Sequence, residues 1–133
     1  MSRRGLLVVV SAAQLGCGLT GLGVAIVRRH AYDLPGMHGD PSRIARDAVL
    51  MGTAFSAPVP MLLAQAVATA ALGIGSNQRA TRVLAVLGAL MVPGYVGERL
   101  VRRRLAPAGW DRVESPLAAA GLGRAAAMAA LGG

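Results

Sequence analysis

The chain has 133 residues, of which 54% are hydrophobic, 15% charged and 3% aromatic. Soluble domains carry roughly a quarter charged residues, so this composition excludes an ordinary soluble domain and points to an integral membrane protein. The formal net charge is +8 and every basic side chain is arginine; these arginines sit in connections without interleaved aromatic rings, which argues against a nucleic-acid partner.

Gly5 to Val27 carries no charge and, at 1.5 Å per residue, makes about 35 Å of helix, enough for a hydrocarbon core of about 30 Å. Ser2-Arg3-Arg4 before it has the look of an export signal, and Leu15-Gly16-Cys17 that of a lipoprotein cleavage site. Gln14 stands where the latter needs an aliphatic residue, and the apolar run continues well past Cys17, so an uncleaved span is expected. Cys17 is the only cysteine, which rules out an intrachain disulfide or a cysteine cluster for metal. Gly16, Gly18 and Gly21 form a G-x-G-x-x-G string, but no strand precedes it, so the dinucleotide reading fails. At helical spacing, Ala13, Cys17, Gly21 and Ala25 form a small-residue packing face, with Ala12, Gly16 and Thr20 alongside.

The first connection, Arg28 to Asp47, holds turn signals at Leu34-Pro35-Gly36 and Gly39-Asp40-Pro41-Ser42. Asp40 or Ser42 is positioned to cap a short helix. His30, Asp33, His38 and Asp40 lie here at a spacing that matches no metal-ligand pattern, so no metal is expected. Ala48 to Ile74 is a second uncharged run, interrupted by Pro58 and Pro60. A proline inside a helix frees the carbonyl four residues back, here those of Ala54 and Ser56. Thr53, Ser56, Pro58, Pro60 and Gln65 are therefore the candidate ligand-binding residues, at a kink.

A hairpin around Ser76-Asn77 leads to a third run, Val83 to Val101, with Glu98 near its end. The third connection, Arg102 to Pro116, continues the cluster of Arg99 and Arg102–Arg104, a surface for anionic lipid. Tyr32, Tyr95 and Trp110 fall near span ends, where amphipathic rings settle. Leu117 to Gly133 is rich in alanine and glycine, with a packing face at Gly121, Ala125, Ala129 and Gly133. Arg124 in its centre costs roughly 2.5–3.5 kcal/mol to insert. An intramembrane charge calls for a partner, and Glu98 is the carboxylate nearest to an apolar span, although Arg102 one turn later is a simpler partner for it.

The expectation is an all-α integral membrane protein: one domain over residues 1–133, a bundle of four transmembrane helices at about 5–27, 48–74, 83–101 and 117–133. The alternative is three spans with the last segment at the interface or docked on a partner. Arg3, Arg4, Arg79 and Arg82 on one side face nine arginines in the first and third connections. That imbalance puts both termini outside the cytoplasm. The arginine, alanine and glycine bias suggests a bacterial inner membrane.

No nucleophile–base pair, paired intramembrane carboxylates or cofactor motif is evident. An enzyme acting at the interface through Glu98, His30 or His38 is the weakest reading, because nothing holds an acid or base in place. The leading expectation is an accessory or structural subunit of a larger membrane complex, its partners being lipids and other subunits or copies of itself. The alternative is a small transporter or lipophile-binding protein, its site at the kinked second helix.

Overall fold

The first uncharged run holds no proline and begins after a serine, and it forms one helix, α1, over Arg3–Arg28. Ser2 caps it by accepting from the Gly5 N–H at 3.0 Å. At the far end Arg29 adopts a left-handed conformation. The His30 N–H then reaches back to the Ala25 carbonyl at 2.7 Å and that of Arg29 to Ile26 at 3.3 Å, the closing pattern that satisfies terminal carbonyls.

The computed structural model describes residues 2–30, 33–34, 37–44, 46–47, 52–53 and 56–133. After α1 the chain makes a two-residue antiparallel ladder, β1 (Asp33–Leu34) with β2 (Met37–His38). A 3-10 turn at Pro41–Arg43 follows, capped by Asp40 through the Ser42 N–H. Among the described residues the later helices are α2 (Val59–Ile74), α3 (Gln78–Gly97), α4 (Arg99–Leu105) and α5 (Glu114–Gly132).

The second run differs from expectation. Among the described residues of 48–74, the helix begins at Val59; residues 48–51 and 54–55 lie outside the described residues, as does Tyr32. Pro58 is the residue before the helix and Pro60 sits in its first turn. The prolines therefore open α2 instead of kinking it, because the first-turn N–H groups they lack have no helical acceptor anyway. The Ser56 carbonyl is not freed at depth but accepts from the Thr53 N–H at 3.0 Å. Gly52 makes that turn possible: its φ is +86°, and a Cβ there would lie 2.5 Å from the Ser56 carbonyl oxygen.

The third run starts earlier than its apolar stretch, since Asn77 caps α3 through the Ala80 N–H at 3.0 Å. It breaks at Glu98, whose extended backbone separates α3 from α4. The fourth begins at Glu114.

The long helices run alternately up and down. α1 packs on α2 and α5, and α3 packs on the same two, closing a four-helix ring in which α3 and α5 share the most extensive contact. The buried face of α1 is Leu7, Ser11, Gln14, Gly18, Gly21 and Ala25; of the small residues expected to pack, Gly21 and Ala25 lie on it, Ala13 and Cys17 are partly buried, and Ala12, Gly16 and Thr20 are exposed. Leu7, Leu72, Leu84 and Met128 fill the core at 0–1% exposure. Leu6, Val9, Leu19, Leu63, Val67, Val86 and Leu90 instead stand exposed on the outside of α1, α2 and α3. Two helices, α1 and α3, are long and apolar enough to cross a membrane.

Candidate functional site

Polar side chains gather in two places, a layer inside the bundle and a cluster at the end where the first and third connections meet. The inner layer starts from α1, where Ser11 and Gln14 share the buried face and are 0% and 2% exposed. From α2, the Gln65 amide N–H donates to the Ser11 carbonyl at 2.9 Å. The Thr69 hydroxyl donates to the Gln65 carbonyl at 2.7 Å, so the 2.7 Å contact between Ser11 and Thr69 hydroxyls has Ser11 as donor. Across the bundle, Gln14 Nε2 donates to the Tyr95 hydroxyl at 3.3 Å and lies 3.7 Å from Met91 Sδ. Met128 Sδ on α5 lies 3.7 Å from Gln65 Nε2. The side-chain oxygens Gln14 Oε1 and Gln65 Oε1 are buried and have no hydrogen-bond partner among the described residues. Turning either amide by half a turn exchanges its two ends and still leaves one end unmatched.

The end cluster is built on Glu114, 1% exposed at the head of α5. Its carboxylate takes Arg28 from the end of α1, Arg104 from α4 at 3.0 Å and His30 at 3.3 Å. Asp111 pairs with Arg28 at 3.3 Å and accepts the Val113 and Glu114 N–H groups, each at 2.9 Å. Those two backbone donors hold its carboxyl below the ordinary carboxylate range, with Arg28 helping. On the other side of the cluster, Arg99 approaches Asp33 at 3.6 Å.

Glu98, 3% exposed at the break between α3 and α4, accepts the Asp33 N–H with both oxygens at 2.9 Å. Burial pushes its carboxyl up to about 7, outweighing the Asp33 and Leu100 N–H groups and Arg102 that favour its charge. The folded chain thus keeps a proton that the unfolded chain releases near 4.5. Stability is therefore expected to fall as pH rises from about 4.5 to about 7, then level off. The loss is on the order of 3 kcal/mol. Thermal unfolding in detergent across that range should show it, and Glu98→Gln should flatten the profile; an equally steep profile in the variant would assign the effect to another group.

The five residues expected to share a ligand site do not form one cluster. Thr53 and Ser56 bond to each other through their hydroxyls at 2.8 Å in the turn before α2. Pro58 and Pro60 sit at the helix start, and Gln65 belongs to the inner layer. Glu98 and Arg124 are likewise apart: Glu98 is bound to Asp33, while Arg124 Nη1 donates to Cys17 Sγ at 2.6 Å. His38 is exposed and Asp40 caps its turn. Among the described residues no three His, Cys, Asp or Glu side chains group closely enough to hold a metal.

The Glu114 cluster was not expected from sequence, although a signal exists. Antiparallel packing of the first and last runs puts Arg28–Arg29–His30 beside the only carboxylate at the head of the last. Compared with known protein families, curated proteins and solved structures, the chain matches none of them.

Proposed function

We propose that the chain is a four-span bundle of a bacterial inner membrane, with both termini outside the cytoplasm, and that it serves as an accessory subunit of a larger membrane complex. The observation that carries this reading is the outward side of α5. Its exposed residues are Pro116, Ala119, Gly123, Ala126 and Ala130, all small and spaced alternately by three and four. α1, α2 and α3 turn large aliphatic side chains outward, the surface that lipid tails cover. A ridge of small residues at that spacing suits close approach by another helix. A Cβ at Gly123 would meet nothing within 4 Å, so the approach is open.

Lipid is the second partner. Arg99 and Arg104 are engaged with Asp33 and Glu114, so the anionic-lipid surface is narrowed to the exposed Arg102 and Arg103 beside exposed Trp110. Each such arginine contributes roughly 1 kcal/mol near an anionic surface.

The test is native mass spectrometry of the full chain extracted from its own membrane in mild detergent. A stoichiometric second chain is expected, and Gly123→Leu with Ala126→Leu should release it while the isolated bundle stays folded. A lone monomer or a homomer would overturn the subunit reading. A monomer retaining a lipophile would favour the second reading, a binding or transport protein, whose support is the pair of unmatched buried amide ends at Gln14 and Gln65.

A further inference from the structure

We infer that Arg124 receives a carboxylate from a membrane helix of a different chain, seated along the outward ridge of α5. The inference rests on the subunit reading and names the chemistry of its partner.

Arg124 lies midway along α5, and its guanidinium stays charged under all ordinary conditions. A charge at that depth in a bilayer needs a partner or water. This chain cannot provide an anionic one. It has six acidic side chains: Asp33, Asp40, Asp47, Glu98, Asp111 and Glu114. All six belong to the first and third connections or the helix ends they join, at one end of the bundle. Even Glu114, on the same helix, is about 15 Å away along the axis at 1.5 Å per residue, and it is already held by Arg28, His30 and Arg104.

Among the described residues the guanidinium makes one hydrogen bond, from Nη1 to Cys17 Sγ, and no ion pair. A guanidinium carries five N–H donors in a planar fork that matches a carboxylate, so most of its donors remain for another group.

A second copy of this chain is excluded as the donor, because it carries the same six acids at the same end. The position of Arg124 selects the remaining occupant. It is partly exposed and follows Gly123 directly, level with the middle of the ridge Pro116, Ala119, Gly123, Ala126 and Ala130 but about 100° round the helix from it, on the flank that meets α1 at Cys17. A helix lying along that ridge on its α1 side brings its own mid-depth side chains to the guanidinium. The partner is therefore an apolar helix of another protein with one aspartate or glutamate near its centre.

The experiment compares the wild-type chain, Arg124→Gln and Arg124→Lys, each extracted from native membrane in mild detergent and weighed intact. The wild type should carry a second chain with an acidic residue inside an apolar span. Arg124→Gln should reduce its recovery about tenfold or more, as truncating one member of a buried charge pair does, and Arg124→Lys should retain part of it. Changing the partner's intramembrane carboxylate to its amide should reproduce the loss with this chain untouched, which separates lost docking from misfolding.

A complex that survives both Arg124→Gln and the partner-side change overturns the inference and leaves the subunit reading standing. A monomer or homomer from wild-type membrane overturns both. A fatty acid released from the wild type and absent in Arg124→Gln, with no second chain, assigns the carboxylate to a lipid and overturns the protein partner.

Discussion

Replacing Glu114 with glutamine is expected to lower stability by about 3 kcal/mol, near the bottom of the roughly 3–5 kcal/mol range for breaking a buried ion pair. The carboxylate is 1% exposed and faces Arg28, Arg104 and His30. Removing its charge takes the shared carboxylate away from two guanidiniums and an imidazole and leaves Asp111, 3.3 Å from Arg28, as the anion still paired there. Arg28 is 39% exposed and Arg104 23%, so water takes back part of the cost, which keeps the loss at the lower end. Denaturation of the purified protein in detergent measures it. A loss below about 1 kcal/mol would mean that the cluster behaves as a surface pair of the ordinary weak kind.

Gly88→Ala should be nearly as damaging although it adds one methyl group. Gly88 lies where α3 packs against the backbone of α5. A Cβ there would sit 2.6 Å from the Ala125 carbonyl oxygen, 2.7 Å from the Ala129 nitrogen and 2.8 Å from Met128 Cβ. Two of these are backbone atoms, so no side chain can swing aside and the helices must separate. Overpacking of this kind costs about 1–3 kcal/mol, and separating α3 from α5 places Gly88 at the upper end. Gly94→Ala on the same helix is the control, since nothing lies within 4 Å of its added Cβ. There the alanine should be neutral or stabilising by up to about 1 kcal/mol, from its higher helix propensity. Equal midpoints for the two variants would contradict the close crossing.

The helices were legible in the sequence to the extent that they depend on local pattern. The uncharged run after Ser2 read directly as α1; of the small residues at Ala13, Cys17, Gly21 and Ala25, the last two are buried and the first two partly so. The prolines were ambiguous for a physical reason. Pro58 and Pro60 fit a helix start as well as a helix interruption, and the composition around them does not say which. Contacts between distant runs were less accessible. Ser11, Gln14, Gln65 and Tyr95 meet because three helices bring together positions 54 and 81 residues apart, and periodicity within one run carries no record of that. Pairing Arg124 with Glu98 followed charge alone, whereas the packing of α1 on α5 gave the guanidinium a thiol.

The latch at Glu114 has a consequence for the order of events during biosynthesis. A chain made from its N-terminus exposes Arg28 and Arg104 before Glu114 has a helix to stand on. On the membrane reading proposed above, these arginines are uncompensated cations while the early segments insert, and they weigh in choosing which way the chain threads. Once the last segment folds back, the same two side chains close on one carboxylate and cease to act as free charge. On that reading the same residues serve twice, first as charges that orient the chain and then as the clasp that joins its first and last helices.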